Sequence, residues 1–158
     1  MRDQDALQAL FAEQAPFSIL ISAATGGDRA LGPFLEMDMA GFQGSFEKLW
    51  GYANVVRHGA PHLTDDGAIV LVSGSPSKRP KAPQAALSAV GASVEQLCRA
   101  IAPELAPKRI NTVSPGVIDT AMFGPPSEAR TATVLGATAN HLIPRGVRFP
   151  TEFPLISS

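Results

Sequence analysis

The chain has 158 residues, a formal net charge of −1, 45% hydrophobic and 17% charged residues. This balance excludes an intrinsically disordered chain, and it supplies no long-range field to draw nucleic acid or an anionic membrane. A single cysteine, Cys98, excludes an internal disulfide framework and a cysteine-based zinc site. Length alone gives a prior of one domain, 1–158, with a core large enough to fold around.

Taken in chain order, residues 3–14 read as a helix: Asp3 can cap it, and Leu7, Leu10 and Phe11 recur on one face. Pro16 stops it, and the apolar run 18–22 has the length of a strand buried on both faces. A glycine-rich loop, 25–33, follows. From Met37 to Leu63 the pattern is helical, with Phe42, Phe46, Leu49, Trp50, Ala53 and Val56 on a broad apolar face. The sequence predicts a turn at 65–67 and its strongest strand at 68–73. A Pro-broken polar loop (75–84) leads into an alanine-rich helix, 85–106, which Pro107 ends. A third strand is expected at 109–114, and a weak helix at about 127–141. Strands separated by helices of this length imply crossovers and a parallel sheet. The expected fold is therefore α/β, a three-layer sandwich with a short parallel sheet of about three strands flanked by helices.

No targeting signal is visible in residues 1–14, and no apolar stretch reaches the ~20 residues of a membrane span. A cytoplasmic location without membrane or nucleic-acid partners is expected. His58 and His62 are i, i+4 on a helix but lack a third ligand, so no metal site is expected. Lys78, Arg79 and Lys81 read as a solvated loop, and Cys98 as a core residue.

Three segments together resemble the short-chain dehydrogenase/reductase family: 66–75 (DGAIVLVSGS), 49–63 (LWGYANVVRHGAPHL) and above all 94–122, which contains SPGVIDT. A weaker echo is 142–153, and the resemblance spans residues 5 to 153. It implies a Rossmann sheet, NAD or NADP as cofactor, and hydride transfer between the nucleotide and a carbonyl or alcohol. It also implies nicotinamide contacts from Pro115, Gly116, Val117 and Thr120, and a homodimer through helices 37–63 and 85–106. The family's general acid is a Tyr, with a Lys four residues on that lowers its pKa and holds the ribose.

This chain departs from that pattern at the chemistry. Leu87 stands at the Tyr position and Gly91 at the Lys position; Lys48 stands at the Asn position. The serine position falls on Gly74, flanked by Ser73 and Ser75. The candidate catalytic residues are thus Ser73 or Ser75 to orient a substrate oxygen and Lys48 as proton donor. The competing readings are turn-forming serines and a helix-flank lysine beside Glu47. Gly26, Gly27 and Gly32 follow the wrong strand to be the family's phosphate-binding loop, and the chain reads as truncated at both ends. Impaired catalysis, marginal stability and an exposed edge at strand 18–22 are expected. The alternative function is a non-catalytic pseudoenzyme, binding subunit or gene fragment.

Overall fold

The structure is a computed structural model that describes residues 2–24, 29–118 and 125–139. It divides into two compact units, Met1–Pro115 and Gly116–Ser158. In the first unit, helix α1 (Gln4–Gln14) is capped by Asp3, whose carboxylate accepts from Ala6 N at 2.9 Å. Strand β1 (Phe17–Ser22) follows, and then helices α2 (Met39–Ser45) and α3 (Glu47–Gly59). The continuous helix expected over 37–63 is therefore divided. Asp38 caps α2 through the Ala40 and Gly41 amides, so the helix starts at Met39. Phe46, with ψ of −8°, ends α2 and opens α3, and Pro61 converts the last residues into a 3₁₀ turn, Ala60–His62.

Strand β2 runs Leu63–Val72 and β3 Arg109–Val113, with helix α4 (Ala85–Leu105) between them. The expected turn at 65–67 lies inside β2 instead. Between β1 and β2 the register jumps from Phe17↔Leu63 to Ile19↔Ala68, so the 64–67 segment bulges out of the pairing. Thr64 Oγ1 donates to Asp66 Oδ1 at 2.8 Å inside that bulge. Gly67 permits it, because a Cβ there would lie 2.8 Å from Thr64 O.

The sheet is parallel, in the order β1-β2-β3. Leu20, Ile69 and Ile110 pair in register and so share one face. They join Phe11, Tyr52, Val55, Val56, Val94 and Cys98 of the helices in one buried cluster. Burial of that apolar surface drives the fold. The other face is open at β1, where Ile19 and Ile21 are 62% and 64% exposed, as expected of an edge strand. In the second unit, helix α5 (Glu128–Ala139) is capped by Ser127 Oγ, which accepts from Arg130 N at 3.1 Å. No helix among the described residues is long and apolar enough to cross a membrane.

Candidate functional site

The candidate residues gather where β2 and β3 end. Ser73, the first residue after β2, donates its backbone N–H to Val113 O at 2.8 Å, carrying the pairing one step past the strand. Its side chain is buried, and its hydroxyl donates to Gly91 O at 3.0 Å. Ser73 O in turn accepts from Lys48 Nζ at 3.3 Å. The structure thus joins Lys48, Ser73 and Gly91, which come from α3, the end of β2 and α4. Ser75 opens a 3₁₀ turn, Ser75–Ser77, and its N–H donates to Pro115 O at 2.9 Å. Pro115 is thereby tied to the same strand end. Gly116 and Val117 belong to the second unit. Thr120, Gly26, Gly27, His141 and the 142–153 segment lie outside the described residues.

Lys48 is half-buried, and its ammonium faces the Tyr52 ring with 5.5 Å from nitrogen to ring centre. Burial, and then the nearby Arg29, lower its pKa from the ordinary lysine value. Tyr52 is fully buried and donates its hydroxyl to Val72 O at 3.0 Å. Burial outweighs that hydrogen bond and pushes its pKa up to about 12, so the chain's only tyrosine serves as a fixed wall.

Gly91 is packed tightly. A Cβ at this position would meet Ser77 Cβ at 3.0 Å and Ser73 Oγ at 3.1 Å. A longer side chain therefore requires the Ser73–Ser77 segment to move. One turn further along α4 lies a group that the sequence reading missed: Glu95, 5% exposed. Its Oε1 accepts from Ser114 Oγ at 2.6 Å and lies 2.5 Å from Ser77 Oγ. Ser77 Oγ is also 2.7 Å from Gly74 O, so one hydroxyl proton is shared between two acceptors. Lys78 and Arg99 approach Glu95 Oε2 at 3.9 and 3.8 Å. Burial raises the Glu95 pKa, but the two hydroxyls and then the two cations override it and leave a net lowering. The available signal was spacing: Gly91, Glu95 and Cys98 fall at i, i+4, i+7, which puts an acid on the buried face of α4.

Both ring nitrogens of His58 are engaged by side chains of α1. Gln8 Nε2 lies 3.2 Å from Nδ1 and Gln4 Oε1 lies 3.2 Å from Nε2. Among the described residues no group of three or more His, Cys, Asp or Glu is arranged to hold a metal. Cys98 is buried in the core as expected, its thiol near Asn111 O at 3.9 Å.

A parallel sheet with helices between its strands, and polar groups collected beyond the strands' carboxyl ends, defines a Rossmann-type α/β protein. The family model described as enoyl-(acyl carrier protein) reductase matches residues 2–149. The chain is 40% identical over 76 residues to the short-chain dehydrogenase/reductase ATR9 of Stachybotrys chlorohalonatus (strain IBT 40285), covering 48% of this chain and 30% of that protein. A crystal structure of a small-chain dehydrogenase in complex with NADPH superposes with a TM-score of 0.78 at 28% identity, covering 87% of this chain and 64% of the other. A short chain dehydrogenase from Burkholderia cenocepacia J2315 in complex with NADP gives 0.67 at 28% identity, covering 85% and 61%. The chain belongs to the short-chain dehydrogenase/reductase family. It spans less than a third of the curated relative and less than two thirds of these solved structures.

The residues fit the nicotinamide nucleotide of that family only in part. The Ser75–Pro115 hydrogen bond holds the strand-end turn in place. Leu87 offers no hydroxyl and Gly91 no ammonium to the ribose, and Ser77 and Ser73 take the space next to Gly91 Cα. The ribose-holding half of the site does not fit, and no proton-transfer step runs through these two positions.

Proposed function

We propose that the chain is a short-chain dehydrogenase/reductase-like protein, by family an NAD(P)-dependent oxidoreductase for a carbonyl or alcohol, in which catalysis is impaired. The observation that carries this reading is the pair Leu87 and Gly91, with Ser73 and Ser77 packed against the glycine. A phenol acts as proton donor to a carbonyl only if it is present and its pKa is brought toward neutrality, and neither requirement is met by a leucine and a glycine. Ser73 or Ser75 would orient the substrate oxygen, Lys48 would be the remaining proton donor, and Pro115, Gly116, Val117 and Thr120 would face the nicotinamide. The committed hydroxyl of Ser73 and the backbone-tied Ser75 favour weak orientation over strong. The NADPH and NADP complexes of the two solved relatives support a nicotinamide nucleotide as ligand.

Titration of the full chain with NADPH and NADH, followed by Trp50 fluorescence and thermal shift, tests the reading. Saturation only at millimolar nucleotide is expected, since the ribose partners are absent. Micromolar binding accompanied by carbonyl reduction would overturn it.

The alternative is a non-catalytic binding subunit working as a homodimer through α3 and α4. Supporting it, α3 and α4, with the turns that follow them, line a groove of about 590 Å³ in which Ala53, Leu97 and Ile101 sit beside Arg57, Glu104 and Lys108, and Trp50 on α3 is 67% exposed. Apolar side chains ringed by charges of both signs on adjacent helices suit a self-complementary interface. Sedimentation at rising concentration is expected to show a dimer that Ile101→Glu dissociates. A cytoplasmic location is part of both readings.

A further inference from the structure

β1 is an edge strand that lacks the usual protection of an edge. Among the described residues it pairs with β2 alone, so the outer side of Ser18–Ile21 presents backbone N–H and C=O groups that the sheet does not use. Its six residues, Phe17–Ser22, include no charge and no proline, and the bulge beside it belongs to β2. Ile19 and Ile21 stand on the open face at 62% and 64% exposed, while Leu20 is buried on the face that the helices cover. This edge also reads the same in both directions: Ser18-Ile19-Leu20-Ile21-Ser22 is symmetric about Leu20. In an antiparallel pair, residues directly opposite each other share a face. Two copies related by a two-fold axis at Leu20 therefore set Leu20 against Leu20, Ile19 against Ile21 and Ser18 against Ser22. The nearest other registers that keep the faces aligned set Leu20 against Ser18 or Ser22 instead. A second copy also brings no like charge to this edge, because the strand carries none.

We propose that β1 pairs with β1 of a second copy, antiparallel and centred on Leu20, so that two three-stranded sheets become one. Ile19 and Ile21 of both chains then form a single patch on the open face, with directly opposite Cβ atoms about 5 Å apart. Backbone hydrogen bonds across the new edge and contact among these isoleucines supply the attraction. Six residues a side are fewer than the ~20–30 of a standard interface, so the dimer is weak and reversible. The pairing uses no residue of the strand-end site or of the groove beside α3 and α4, and it stands apart from both functional readings.

The test is disulfide trapping between full-length chains. Ile19→Cys and Ile21→Cys are made separately, each with a thermal melt matching the parent, and oxidised alone and as a mixture. The bridges are then located by peptide mass spectrometry. Opposite Cα atoms of an antiparallel pair lie about 4.5–5.5 Å apart, within reach of a disulfide. The mixture is expected to bridge position 19 to position 21 several times faster than either variant alone bridges to itself. Dilution should slow this bridge, and 6 M urea should remove the preference. Cys98 is buried and should stay out of the products in the folded chain. Adding Ile101→Glu to both chains should leave the bridge in place, because the contact does not involve α4. Faster bridging of 19 to 19 or of 21 to 21, equal rates for all three pairs, or loss of the bridge with Ile101→Glu would overturn the proposal. So would the absence of any bridge at high concentration, which would leave the edge to a strand of another protein. Because no nucleotide is added, failure here is distinguishable from failure of the oxidoreductase reading.

Discussion

At the scale of single residues, Glu95 and Gly91 decide how the strand ends are held. Glu95 ties the Ser75–Lys78 segment, α4 and Ser114 together through one carboxylate. Removing it strands the Ser114 hydroxyl and takes one of two acceptors from Ser77, so Glu95→Ala is expected to lower stability by ~1–3 kcal/mol in a denaturant melt. The folded-state pKa lies below the ordinary 4.5. Its stabilisation is thus fully present above the unfolded value and is lost as pH falls through the folded one. Glu95→Gln should flatten the acid limb of the stability–pH curve, and an unchanged limb would show that the carboxylate does not carry it. Gly91→Lys should cost ~1–3 kcal/mol by overpacking against Ser77 and Ser73, and should give no gain in carbonyl reduction. Cys98 shows the same logic in the core. Burial, helped by Glu95 and opposed by Arg99, pushes its thiol up to about 11, so an aromatic disulfide reagent should react only on unfolding.

At the scale of elements, apolar periodicity located α1, β1, α4, β3 and the paired part of β2, because burial of one helix face and of the central strand dominates those segments. It failed where backbone or side-chain hydrogen bonding overrides pattern. Asp38 starts α2 two residues late, Phe46 separates α2 from α3, and Gly67 lets the 64–67 segment bulge within β2. The bulge is a testable object: Gly67→Ala sets a Cβ 2.8 Å from the Thr64 backbone oxygen and should cost ~1–3 kcal/mol. A neutral result would mean that the bulge relaxes freely. The Glu95 cluster was illegible for a different reason. Its partners Ser77 and Ser114 are 18 and 19 residues away in sequence, and only the sheet brings them together.

At the scale of the molecule, family membership was legible in the SPGVIDT stretch and its neighbours, and the family model across residues 2–149 agrees with it. The fold has the parallel sheet of the family, and the positions that the proposed reading assigns to the proton hold Leu87 and Gly91. On the proposed reading ancestry and activity part at this point, since a fold supports chemistry only through the groups placed on it. The most direct test is NADPH-dependent reduction of a panel of aldehydes and ketones by the full chain. The account predicts rates indistinguishable from those without protein. Turnover near the ~10 s⁻¹ typical of enzymes, lost on Ser73→Ala in a variant that still folds, would contradict it.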